Sequence, residues 1–196
     1  MTPTTRRTLL TAALTLPAAA LPRKPALAER GLAGLDKLVP IDPAPLPDLR
    51  FTLADGTARS LADYTGNGVV LNMWATWCAP CVAEMAALDD LARKVSESGV
   101  TVLALSSDRG GAPVVERFYH ERGIRTLAVL LDPRGEVPRA VGVRGIPTTL
   151  LINRDGQERG RVEGAVDWSS AASVETIRKL IASGPPRPPV ASTVPL

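Results

Sequence analysis

Two cysteines, Cys78 and Cys81, stand three residues apart in Trp77-Cys78-Ala79-Pro80-Cys81, and the chain has no others. The apolar run Val69-Val70-Leu71-Asn72-Met73-Trp74 leads into them, and the helix-compatible stretch Val82 to Leu88 follows. A dithiol at a strand-to-helix junction is placed where it can be chemically active. Unpaired N–H groups and partial positive charge at the helix start favour a thiolate, the species that attacks disulfides. The chemistry this predicts is reversible thiol–disulfide exchange. Geometry orders the roles. Cys78, exposed at the first turn, attacks; Cys81, deeper in the helix and shielded, resolves the mixed disulfide and leaves a Cys78–Cys81 bond. Pro80 fits the first turn, where no N–H partner is lost.

Three other uses of the pair compete. A structural staple closing so short a loop removes only about 2 kcal/mol of unfolded-state freedom. A zinc site needs four ligands, and one C-x-x-C supplies half of them. The sole histidine, His120, lies far along the chain in a predicted amphipathic helix. Inert buried thiols remain the third option. The exchange reading calls for no cofactor and no metal, because the cysteine couple itself carries the electrons.

The surrounding pattern alternates strand and helix. Phe51 to Leu53 reads as a short strand before the Asp55-Gly56 turn, and Val69 to Trp74 as a central strand apolar on both faces. A helix from Ala79 to about Glu97 ends at Gly99, and Val100 to Leu105 is a second buried strand. Pro113 to Arg122 is an amphipathic helix stopped by Gly123, and Ala128 to Leu131 a third strand. Thr148 to Ile152 and Glu158 to Val162 form a hairpin about Asp155-Gly156, and Ser169 or Ser170 caps a last helix to about Ile181. This order implies an α/β fold with a central mixed β-sheet flanked by helices.

The ends differ in composition from this middle. Residues 1–28 hold Arg6, Arg7, Arg23 and Lys24 and no acidic residue. With them the chain of 196 residues carries a formal charge of +3; without them it is slightly negative, which gives no basis for nucleic-acid binding. Arg6-Arg7, the apolar Thr8 to Ala20 and Ala26-Leu27-Ala28 read as an export signal, of ordinary or twin-arginine type, or as an uncleaved anchor. Each places the protein in the periplasm or on the outer face of the inner membrane, where disulfides persist. Residues 29–45 read as a proline-rich linker, 46–184 as the folded domain, and 185–196 as a disordered proline-rich tail.

Gly145-Ile146-Pro147-Thr148 precedes the hairpin. Pro147 is either an ordinary edge proline or a cis proline packed on the dithiol, which would expose the Ile146 backbone to pair with an extended client peptide. With these pieces the chain resembles the TlpA/ResA group of exported thioredoxin-like thiol–disulfide oxidoreductases. The resemblance rests on Leu61-Ala62-Asp63-Tyr64, the run Val70 to Cys81, Glu84, Gly145 to Thr148 and Asp155-Gly156, and spans about residues 46–182. It implies a thioredoxin-like fold, a cis Pro147, Asn72 in the place of a buried aspartate, and client contacts at Trp77, Ile146 and Pro147. It also makes Glu84 a catalytic partner of the cysteines, tuning the thiols or relaying the Cys81 proton; otherwise it is a solvated helix-surface residue. Ala86 departs from the group's helix-kinking proline, which implies a straighter helix. The implied role is reduction of client disulfides, such as cytochrome c haem-binding cysteines or copper-site proteins of the oxidase. Because the chain has no further cysteines, an external dithiol donor, membrane-embedded in this group, must re-reduce it. Rivals are a thioredoxin-fold metallochaperone, a thiol peroxidase and a client-binding module with a vestigial dithiol.

Overall fold

The computed structural model describes residues 35–182, so the predicted signal, the first part of the predicted linker and the tail lie outside the described residues. Eight strands form one mixed sheet: β1 (Val39–Pro45), β2 (Arg50–Leu53), β3 (Ala58–Ser60), β4 (Gly68–Trp74), β5 (Val100–Ser106), β6 (Leu130–Leu131), β7 (Thr148–Ile152) and β8 (Gln157–Glu163). Their order across the sheet is β1-β8-β7-β4-β5-β6-β2-β3. β4, β5 and β6 run parallel, and β7 lies antiparallel to β4 with Asn72 opposite Thr149 and Met73 opposite Thr148. The helices are α1 (Ala79–Val95), α2 (Ala112–Arg122), α3 (Glu136–Ala140) and α4 (Ala171–Ile181).

All seven residues of β4 are buried, as an apolar run covered on both faces requires. Alternate residues serve opposite layers. Val70 and Trp74 join the core with α1, α2 and α4, while Val69, Leu71 and Met73 pack with Leu105, Leu150 and Val137 on the α3 side. Asn72 shares the face of Val70 and Trp74, so its amide stands in an apolar layer with no exposure. α1 runs uninterrupted from Ala79 to Val95, as Ala86 in place of a proline allows. Gly99 then takes a left-handed φ of 67° and turns the chain into β5.

Residues 39–45 correct the linker reading. Their prolines do give extended backbone, but that backbone pairs antiparallel with β8, Val39 with Arg161 and Pro45 with Gln157. An edge strand needs ladder bonds on one side only, and this lets prolines into it. Among the described residues no helix is long and apolar enough to cross a membrane.

Candidate active site

Cys78 is the N-cap of α1, and Pro80 lies in the first turn. The two cysteines are joined, with their Cα atoms 5.2 Å apart. The Cys81 backbone N–H points at the Cys78 Sγ from 3.4 Å, so the helix start already aims a donor at the sulfur that would carry the thiolate. Cys81 has no exposure, in agreement with a shielded resolving residue. Cys78 is less open than expected, at 7% exposure. The cause is the segment before β7: the Ile146 carbonyl oxygen sits 3.6 Å from the Cys78 Sγ. The Ile146–Pro147 bond is cis, and Pro147 is buried. Trp77 projects beside the pair with 70% of its surface in water, which is unusual for an indole.

The approach to Cys78 is pinned from β5. Asp108, buried just beyond that strand, accepts from the Thr76 backbone N–H at 2.9 Å and from its hydroxyl at 2.7 Å. Ser106 donates its hydroxyl to the same carboxylate at 2.8 Å. The Ala75–Trp77 bend is therefore held by a fixed acceptor rather than left to swing. Sequence reasoning did not single out Asp108. A polar Ser-Ser-Asp ending an apolar strand was the available signal, and it is a weak one.

Glu84 is not a solvated surface residue. It has no exposure, because α1 turns this position into the layer between β4 and the segment after β8. Its Oε1 accepts from the Asn72 Nδ2 at 2.8 Å, and its Oε2 from the Val166 N–H and the Trp168 Nε1, each at 2.9 Å. Asn72 Nδ2 also donates to the Thr149 hydroxyl at 2.9 Å. Burial raises the Glu84 carboxyl to about 7, and the donors from Val166, Asn72 and Trp168 only partly offset it. A carboxyl poised there can take or give a proton near neutral pH. Gly164, at the head of the segment carrying Val166 and Trp168, donates its N–H to the Pro147 carbonyl at 2.8 Å. One short loop thus touches both the Glu84 carboxylate and the proline that follows Ile146, whose carbonyl lies against Cys78. Thr149, Val166 and Trp168 were missed in the sequence, since contacts across some eighty residues leave no local pattern. His120 is exposed on α2, remote in sequence from every one of these groups.

The sequence and the fold are similar to those of known proteins. The family model described as Redoxin matches residues 42–177. The thiol-disulfide oxidoreductase ResA of Bacillus thuringiensis subsp. konkukian is 35% identical over 118 residues, which cover 60% of this chain and 67% of that protein. Among solved structures, the exposed lipoprotein thioredoxin Etrx1 of Streptococcus pneumoniae superposes with a TM-score of 0.56 at 28% identity, covering 68% of this chain and 100% of that one. A thioredoxin family thiol:disulfide interchange protein from Chlorobium tepidum gives 0.57 at 26% identity, with 74% and 99% covered. With its cysteine pair at the start of α1, the chain belongs to the Redoxin family, as a thiol–disulfide oxidoreductase of the ResA type.

Proposed function

We propose that the protein works outside the cytoplasm as a reductase of client disulfides. The Cys78 thiolate attacks a client disulfide, forming a mixed disulfide and releasing one client thiolate. Cys81 then attacks the Cys78 sulfur, and the second client thiol leaves. Two electrons pass to the client, and the Cys78–Cys81 disulfide remains. Glu84, one helical turn beyond Cys81, takes the proton that Cys81 gives up. The Ile146 backbone pairs with the extended client segment, Pro147 shapes that surface and Trp77 covers the flanking residues. The clients are exported proteins whose cysteines must be free, such as cytochrome c haem-binding pairs or oxidase copper-site proteins. An external, membrane-embedded dithiol returns the electrons.

The single observation that carries this reading is the Cys78 Sγ, served by the Cys81 N–H and lying against the Ile146 carbonyl. That geometry couples a nucleophile to the backbone segment before β7, along which an extended peptide can be laid. The test is covalent trapping. Cys81→Ser is expected to accumulate a mixed disulfide through Cys78 with a disulfide-containing client peptide, while Cys78→Ser traps none. Equal capture by both variants, reversible on dilution, would leave only a binding module. The direction is tested by equilibrating the couple in dithiothreitol buffers: a potential below the glutathione range is expected for a reductase, and a strongly oxidising one would reverse the assignment.

A further inference from the structure

The hydrogen bonds around Glu84 have one polarity. Asn72 Nδ2, the Val166 N–H and the Trp168 Nε1 all donate to the carboxylate. Three donors suit an anion. A protonated carboxyl needs an acceptor for its own hydrogen, and neither a backbone N–H nor an indole N–H can accept. Asn72 is the one partner that holds an acceptor, and its Oδ1 is buried without any hydrogen-bond partner. A buried amide oxygen left unpaired costs about 1–3 kcal/mol, so it stands in need of a use.

We infer that Asn72 is a positioning residue whose side-chain amide turns over when Glu84 takes up a proton, presenting Oδ1 to the new carboxyl hydrogen. Half a turn about the Cγ bond exchanges Oδ1 and Nδ2. The Thr149 hydroxyl, which now accepts from Nδ2, then donates to Oδ1 instead, because a hydroxyl serves both ways. The Val166 and Trp168 donors stay on Oε2, which remains an acceptor in either state. Asn72 and Thr149 are cross-strand neighbours in the β4–β7 register, so the exchange needs no movement of backbone. The vacancy in hydrogen bonding passes from an orphan amide oxygen in the anionic state to the orphan NH2 group in the neutral one. The proton therefore enters a site where the turned amide offers it an acceptor.

Among the described residues, no other charged group is hydrogen-bonded to Glu84, Asn72 or Thr149. Asn72 and Thr149 are neutral. Cys81, on α1, is held in the disulfide. Asp167, in the loop, has its Oδ1 engaged by the Ser169 N–H and hydroxyl. The inference rests on the proton-relay role proposed for Glu84.

The test is nuclear magnetic resonance on the oxidised full chain between pH 5 and 9. The Glu84 carboxyl carbon is followed together with the Asn72 side-chain amide protons. Above the Glu84 midpoint these protons are expected to show Overhauser contacts to the Thr149 side chain; below it those contacts are lost. Glu84→Gln supplies the second arm. Its Oε1 can serve Val166 and Trp168 only if its NH2 meets Asn72 Oδ1, so this variant is expected to show the low-pH pattern at every pH. Asn72–Thr149 contacts that persist on both sides of the midpoint, or in Glu84→Gln, would overturn the inference. A Glu84 carbon that never titrates while the fold is intact would do the same. Trapping by Cys81→Ser is scored separately, so loss of the exchange activity and loss of the amide turnover are told apart.

Discussion

Glu84 makes the stability of the molecule depend on pH in a stated direction. Its carboxyl is raised from 4.5 to about 7 in the fold by burial, so the folded state holds a proton more tightly than the unfolded chain. The contribution of this group is most favourable below about pH 4.5 and is lost as the pH climbs through 7, by about 3 kcal/mol in all. Glu84→Gln is expected to flatten that part of the profile, which urea unfolding of the oxidised protein at pH 5, 6 and 8 would measure. Trp168→Phe keeps the ring in the core and removes one donor to the anion, so the Glu84 midpoint should rise above that of the parent. At this scale the sequence was informative where chemistry is local. Cys78, Cys81, Pro80 and Pro147 could be read from spacing and neighbours. Glu84 could be named but not placed, because the donors that surround it come from β4 and from the loop after β8.

Elements carry the site through buried carboxylates that bind backbone rather than cations. Asp89, on the buried face of α1, accepts at one oxygen from the N–H groups of Arg125, Thr126 and Leu127 at 3.2, 2.7 and 3.1 Å. It fastens the cysteine helix to the turn between α2 and β6. Asp89→Ala should cost about 2–3 kcal/mol and Asp89→Asn much less, since the amide oxygen still accepts; denaturant midpoints would separate them. Asp108 does the same for the Thr76 bend. The central strands and helices α1 and α2 were legible because burial on both faces gives apolar runs, and because Gly99 and Gly123 mark helix ends with positive φ. The predicted strand Ala128 to Leu131 shortens to β6, Leu130–Leu131, which is a bridge between β5 and β2 rather than a full strand. α3, five residues that include Pro138, offered too little periodicity to be seen. Its start is instead set by Asp132, which accepts from the Glu136 and Val137 N–H groups at 2.9 and 2.8 Å.

Over the whole molecule, the sheet is closed at one margin by β1, which the proline content had hidden. A chain beginning at residue 46 would leave the outer edge of β8 unpaired. It is expected to unfold at a lower temperature than one beginning at residue 29 and to self-associate, which light scattering on heating would register. The C-terminal end of α4 is closely fitted against the start of β4: a Cβ on Gly68 would stand 2.6 Å from the Ile181 carbonyl oxygen. Gly68→Ala should therefore cost about 1–3 kcal/mol by displacing that helix end. Trp77 has a further consequence. Trp74 and Trp168 are sealed from solvent, whereas Trp77 stands in water beside the disulfide. The molecule thus carries its own optical gauge of occupancy. Iodide in solution can reach one indole of three, and a client lying across the cysteines would shade that one, so the fraction of emission open to quenching counts the molecules at work.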